Sequence, residues 1–148
     1  MIFGVGVDIV EIDRIKLAVK RNDKFLERMF TLNELEYYKL KKYKAESIAA
    51  GFAAKEAVLK ALGTGLRGFT WKDIEIMRLD VGKPIVRLTG SIKDFVKSNG
   101  IGDIHISISH SKKFAVANAI AEVSLEMEGQ MIETLLMADE TYNGRNIH

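Results

Sequence analysis

The sequence predicts an α+β fold: a mainly antiparallel sheet packed with helices, one of them long and central. Three observations predict it. A strand pattern at the N-terminus is followed by four helical segments, then by strands interrupted by one more helix, in the order βαααα-ββαββ. Apolar residues make up 47% of the 148 residues and charged residues 28%, enough for one core in one domain. No apolar run approaches the ~18 residues that a membrane span requires.

Ile2 to Ile12 alternates around small residues, as a strand does, with Phe3, Val5, Val7 and Ile9 on one face and Gly4, Gly6, Asp8 and Val10 on the other. Asp13 is the predicted N-cap of a helix from about Arg14 through Lys20, since its carboxylate can accept from the free amides of the next turn. Asn22 or Asp23 can start a second helix through Arg28, and Thr31-Leu-Asn-Glu34 fits a capping box for a third. Lys39 to Lys44 is a basic connector. Ala45 to Leu62 carries the strongest helical pattern, alanine-rich with apolar residues three and four apart. It stops at Gly63-Thr-Gly65-Leu-Arg-Gly68, where glycines supply backbone freedom that no helix wants. Strands follow at Ile74 to Leu79, Ile85 to Leu88 and Ile104 to Ser109, with a turn at Val81-Gly-Lys-Pro84 and a helix from Ser91 to Lys97. Ser111-Lys-Lys113 turns into a last strand, Phe114 to Ala121. Within the acidic stretch beyond, Met127 to Met137 fits a short amphipathic helix.

Composition excludes several chemistries. Cysteine is absent, which removes disulfides, thiolate zinc sites, iron–sulfur clusters and cysteine nucleophiles together. The opening Met-Ile-Phe-Gly-Val-Gly-Val-Asp lacks the basic start and cleavage site of a signal peptide, so a cytoplasmic location is expected, with no membrane partner. The net charge of +2 hides an asymmetry. From Glu122 onward stand six acids and one base, Arg145, or −5; the preceding 121 residues carry 21 bases against 14 acids, or +7. A basic body suits an acidic partner. Nucleic acid is not the expected one, because the aromatic residues do not interleave with the basic cluster as base stacking requires.

Asp8 stands on a strand face beside two glycines that present no side chains, so a metal or a packed helix can fill the space above it. A lone strand aspartate more often caps or pairs. Glu56, four residues after Phe52 and three before Leu59, falls on the apolar stripe of the long helix, with Lys60 one turn further on the same face. As a surface pair, Glu56 and Lys60 would contribute only a few tenths of a kcal/mol. Amid core residues a carboxylate and an ammonium suit a metal and a phosphate. The Gly63-Thr-Gly65 loop matches a dinucleotide fingerprint in spacing but closes a helix instead of opening one, which leaves a phosphate cradle or a simple helix stop. His105, Ser107 and Ser109 share one strand face; His110 ends the apolar row of the other.

Taken together, Gly4-Val-Gly6-Val-Asp8-Ile-Val-Glu-Ile, Phe52-Ala-Ala-Lys55-Glu56-Ala-Val-Leu-Lys60-Ala and Ser107-Ile-Ser109-His110-Ser resemble the holo-[acyl-carrier-protein] synthases, the trimeric type of 4′-phosphopantetheinyl transferase. Gly63-Thr-Gly65, Gly82-Lys-Pro84, Val86-Arg-Leu-Thr-Gly90 and Phe114-Ala-Val-Ala agree, in the family's order, over about residues 1 to 122, which the resemblance makes the transferase domain, with 123–148 an acidic C-terminal extension.

The resemblance implies the phosphopantetheinyl transferase fold and a transferase. Its reaction would be magnesium-dependent transfer of 4′-phosphopantetheine from coenzyme A to a serine of apo-acyl carrier protein, releasing adenosine 3′,5′-bisphosphate. Asp8 and Glu56 match the family's magnesium ligands. Lys60 matches the lysine that neutralises the phosphates, and Glu56 is the candidate base, directly or through a metal-bound water. Gly63, Thr64, Gly65 and Pro84 lie, with Lys60, where family members line the coenzyme A pocket, and His110 matches a histidine near its phosphates, which the resemblance places with Glu56 and Lys60 among the catalytic residues. Arg14, Arg21 and Phe25 resemble carrier-docking positions, in a stretch from Ile12 to Phe30 that holds six bases against three acids. The resemblance also implies a homotrimer with its active site between subunits. This chain departs from the family at Gly51, where many members carry a basic residue, and in its acidic extension. A non-catalytic carrier- or nucleotide-binding module of the same fold is the alternative.

Overall fold

The computed structural model describes residues 1–143, and its spine is one strand lying on one helix. Strand β1 (Ile2–Glu11) leads into helices α1 (Ile12–Arg21), α2 (Phe25–Met29), α3 (Leu32–Leu40) and α4 (Ala45–Leu62). A 3-10 turn over Trp71–Asp73, which the sequence pattern does not signal, precedes the hairpin of β2 (Ile74–Arg78) and β3 (Pro84–Leu88). Helix α5 (Gly90–Ser98), strands β4 (Ile101–His110) and β5 (Phe114–Val123), and helix α6 (Leu125–Asn143) complete the chain. The predicted order holds. All pairing is antiparallel but divides into two sheets, three strands in the order β1-β5-β4 and the separate pair β2-β3. Among the described residues no helix is long and apolar enough to cross a membrane.

Small residues set the distance between sheet and helix. The β5 residues Ala115, Ala117, Ala119 and Ala121 are buried to 1% exposure or less and face a helix whose own Ala53, Ala57 and Ala61 are buried. Gly4 and Gly6 let α4 approach further still: a Cβ at either would overlap the carbonyl oxygen of Ala61 or Ala57. The space over the two glycines is therefore filled by helix backbone. Because α4 takes that side, Phe3, Val5, Val7 and Ile9 face outward and are 41–64% exposed.

Two predicted helix starts are corrected. Glu11, not Asp13, is the N-cap of α1, and it caps without its side chain. The Ile12 amide still bonds the Lys113 carbonyl at 2.8 Å, so pairing with the hairpin runs to the last possible residue and Asp13 falls inside the first turn. Helix α2 begins at Phe25, because the Asn22 side chain instead accepts from the Lys24 amide in a local turn at 3.0 Å. The capping box at Thr31 forms as predicted: its hydroxyl accepts from the Glu34 amide at 3.2 Å, and Glu34 accepts from the Thr31 amide at 2.7 Å. Helix α6 extends well past the predicted 127–137. Residues 144–148 of the acidic extension, Arg145 among them, lie outside the described residues.

Candidate active site

Helix α4 and strand β1 bring Asp8, Glu56 and Lys60 together. Asp8 follows Gly6 on the strand face that α4 covers, and its side chain is 13% exposed. The Lys60 ammonium reaches across from α4, donating to Asp8 Oδ1 at 2.9 Å and to the Val7 carbonyl at 3.0 Å. Asp8 Oδ2 is buried and has no hydrogen-bond partner. A buried, unpartnered carboxylate oxygen is a costly thing to keep in a structural ion pair. It is the natural first ligand of a cation.

Glu56 supplies the second carboxylate. It is half-buried on α4, one turn before Lys60. Burial pushes its carboxyl above the ordinary range; the negative charge of Asp8 pushes it further the same way, and Lys60 opposes both. Two carboxylates that repel one another share a single ammonium, which leaves a local excess of negative charge. Among the described residues no group of three or more His, Cys, Asp or Glu side chains is placed to hold a metal. The pair suits magnesium, which commonly takes one or two protein carboxylates and completes its shell with water and phosphate oxygens.

The glycine loop begins one turn beyond Lys60. Gly63 closes α4 in the left-handed conformation, at φ 72°, and its amide and that of Thr64 bond back to the Lys60 and Leu59 carbonyls. Those two amides end the helix and are not available to cradle phosphate. The Thr64 hydroxyl donates to the Gly65 carbonyl at 2.9 Å. Pro84 opens β3 on the two-stranded sheet, opposite Arg78. His110 ends β4, exposed, with Nδ1 3.4 Å from the Ser111 carbonyl. It shares a row with Ala115 and Val10, so the width of β5 separates it from β1. Two strand spacings and two residues put its Cα about 12 Å from that of Asp8. Within one chain, Pro84 and His110 are thus not part of the carboxylate cluster.

Arg14 and Phe25 line one small cleft of about 210 Å³ with Val10, Ile15, Ala18 and Phe52. Phe52 stands one turn before Glu56, so this cleft adjoins the carboxylate site. Arg21 lies exposed at the end of α1, away from the cleft lining.

Sequence reasoning misses Lys55, the most completely buried charge near the site. Its ammonium donates to the Met29 carbonyl at 2.6 Å, to Glu34 at 2.9 Å and to the Trp71 carbonyl at 3.0 Å. Glu34 also accepts from the Ile76 amide at 2.9 Å, so one buried ion pair ties α2, α3, α4 and β2 together. Burial pulls the Lys55 ammonium below the ordinary lysine range, and Glu34 pulls it back. A signal exists: Ile48, Gly51, Lys55, Val58 and Leu62 recur at helical spacing, and all are buried. Gly51 belongs to this stripe. A Cβ there would overlap the Tyr38 hydroxyl, so position 51 faces the core, away from the carboxylates, and a longer basic side chain has no room.

Comparison with known proteins identifies the family. The family model of the 4′-phosphopantetheinyl transferase superfamily matches residues 4–119. A holo-[acyl-carrier-protein] synthase of Clostridium botulinum is 54% identical over 123 residues, covering 83% of this chain and 99% of the relative. The crystal structure of holo-[acyl-carrier-protein] synthase from Neisseria meningitidis superposes with a TM-score of 0.76 at 34% identity, over 82% of this chain and 99% of that one. The Helicobacter pylori synthase in complex with coenzyme A superposes with a TM-score of 0.71 at 38% identity, over 80% and 99%. The fold, the motifs and these likenesses agree: the chain belongs to the 4′-phosphopantetheinyl transferase superfamily and is a transferase of the holo-[acyl-carrier-protein] synthase family.

Proposed function

We propose that this chain transfers 4′-phosphopantetheine from coenzyme A to a serine hydroxyl of an apo-acyl carrier protein in the cytoplasm, releasing adenosine 3′,5′-bisphosphate. The observation that carries the reading is the pairing of a buried, unpartnered Asp8 oxygen with a Glu56 carboxyl raised by burial and by Asp8. Asp8 and Glu56 would hold a magnesium ion, which when bound neutralises charge on the pyrophosphate. Lys60, 52% exposed at its side chain, is free to turn part of its charge toward the leaving bisphosphate. Glu56 takes the serine proton. A carboxylate of raised proton affinity is a better base than an ordinary one, and positioning supplies most of what phosphoryl transfer asks of a protein. The carrier docks by charge on the basic α1–α2 face, with Arg14, Arg21 and Phe25 as its contacts, and steering of an acidic partner favours fast encounter.

A homotrimer fits the same reading. The outward row of Phe3, Val5, Val7 and Ile9 is an exposed apolar strip along β1, and neighbouring subunits would cover it. The site is then completed between subunits, where Gly63, Thr64, Gly65, Pro84 and His110 serve coenzyme A. Chromatography of the reaction mixture tests the chemistry: adenosine 3′,5′-bisphosphate should accumulate only when coenzyme A, magnesium and apo-carrier are all present. Release without carrier would mean hydrolysis of coenzyme A and not transfer.

A further inference from the structure

Helix α6 lies beyond the residues that the family model matches, which end at 119. Its first turn is fastened to the body. The Ser124 hydroxyl accepts from the Met127 amide at 3.3 Å, and the N-terminal ammonium of Met1 pairs with Glu128 at 2.9 Å. From Met131 to Leu136 every residue is exposed, Leu135 to 67% and Leu136 to 61%. Met127, Met131 and Leu135 recur every fourth residue as an apolar stripe, beside Ile132 and Leu136. Glu126, Glu128 and Glu133 accompany them, and residues 125–143 contain no Lys, Arg or His. Such a helix is a poor partner for its own copy, because pairing two of them would crowd carboxylates. Its complement is basic and partly apolar.

The chain carries that complement elsewhere. Arg14, Leu17, Ala18 and Arg21 share one face of α1, with Leu17 44% exposed, and the small cleft at Arg14 and Phe25 adjoins them. Helix α1 starts where β1 ends, whereas α6 starts beside the first residue of β1, about 33 Å away by strand geometry. The exposure of residues 131–136 shows that this part of α6 does not lie on its own α1. We infer that α6 docks as an acidic amphipathic helix on the α1–α2 face of a second copy of this chain. If that face also receives the acidic carrier protein, as proposed above, α6 is a built-in competitor for the substrate protein; this consequence rests on that reading, and the docking itself does not.

The absence of cysteine makes the docking directly testable. Full-length chains carrying Leu17→Cys are mixed with full-length chains carrying Leu135→Cys, oxidised, and resolved by mass. A disulfide joining position 17 of one chain to position 135 of another, lost when oxidation is done in high salt, is the result expected. Links formed only between two Leu135→Cys chains would overturn the inference. So would a mixed-link yield no higher than that of a control mixture of Leu17→Cys and Ser98→Cys chains. No coenzyme A or carrier enters this measurement, so its failure leaves the transferase reading standing, and failure of transfer leaves the link standing. The competition is read separately: Glu126→Lys with Glu133→Lys should lower the KM for carrier several-fold at low salt and leave the KM for coenzyme A unchanged. An unchanged carrier KM would contradict it.

Discussion

Lys60 closes its ion pair on Asp8 of β1, at 2.9 Å, and not on Glu56, its neighbour one turn back on α4. The consequence is a division of labour between the carboxylates. Asp8 is partly neutralised and keeps one buried oxygen without a partner, while Glu56 keeps a raised proton affinity.

Replacing Lys60 separates catalysis from stability. Its own side chain is half-exposed but that of Asp8 is only 13% exposed, so Lys60→Met should cost ~1–3 kcal/mol of folding stability, through the carboxylate left without its donor, and leave the fold intact. As the positive charge beside the leaving group it should matter to turnover by at least ~10-fold, or ~1.4 kcal/mol. Methionine keeps the length of the stem, so lost packing is not mistaken for lost charge. Steady-state kinetics beside a thermal melt check both; unchanged turnover would return Lys60 to a purely structural pair.

Glu56 should reveal itself through pH. Its folded-state pKa is raised above that of the unfolded chain, so its favourable contribution is present below the unfolded value and lost as pH rises through the folded one. Without metal, Glu56→Gln should therefore melt higher than the wild type at neutral pH, with the difference closing as pH falls below ~4. Magnesium binding, which needs the carboxylate deprotonated, should weaken at a higher pH than an ordinary glutamate would give. Asp8→Asn and Glu56→Gln should each abolish magnesium-dependent turnover. Melting curves and magnesium titrations across pH provide the measurement, and a wild type and Glu56→Gln variant with identical pH profiles would speak against the assignment.

Much of this is legible in the sequence, and the parts that are not share a cause. The boundaries of α4 follow from its alanine-rich periodicity and the Gly63 stop, and the α3 start follows from the Thr31 and Glu34 pair, because both depend on neighbours in the chain. The Lys60–Asp8 pair and the Lys55–Glu34 pair join residues 52 and 21 positions apart, and no local pattern encodes them. Lys55 escapes notice because its partners Met29, Glu34 and Trp71 are distant in sequence, although its stripe is apolar. The division into two sheets is equally hidden, since strand order is a tertiary outcome. Asp13 looks like a cap because its residue type is right; the Ile12 bond to Lys113, made across the sheet, decides otherwise.

Lys55→Met should be the most destabilising single change near the site. It strips the Glu34 carboxylate of its counter-ion in an environment where both side chains are 0–1% exposed. Removing one partner of a buried pair typically costs ~3–5 kcal/mol. Urea unfolding monitored at Trp71 measures it, and a loss below ~1 kcal/mol would show that the buried carboxylate is satisfied by its backbone donors alone.

Docking should be separable from chemistry. Arg14→Glu combined with Arg21→Glu reverses two charges on the α1–α2 face and should raise the KM for carrier protein by ~10-fold or more, with coenzyme A affinity unchanged. Salt should weaken the wild type in the same direction, by screening over ~10 Å at 0.1 M. Isothermal titration with coenzyme A beside carrier-dependent kinetics distinguishes the two effects; an equal loss of coenzyme A affinity would place these arginines at the nucleotide and not at the carrier.

Transfer of phosphopantetheine to a carrier protein by a site built on Asp8, Glu56 and Lys60 is read from the intact mass of that carrier. Apo-carrier incubated with coenzyme A, magnesium and the wild-type chain should gain the mass of one phosphopantetheine. The gain should be absent when a chelator is added, when Glu56→Gln replaces the wild type, or when the acceptor serine of the carrier is changed to alanine. A chain that binds coenzyme A and carrier yet leaves the carrier mass unchanged would be a non-catalytic binding module and not a transferase.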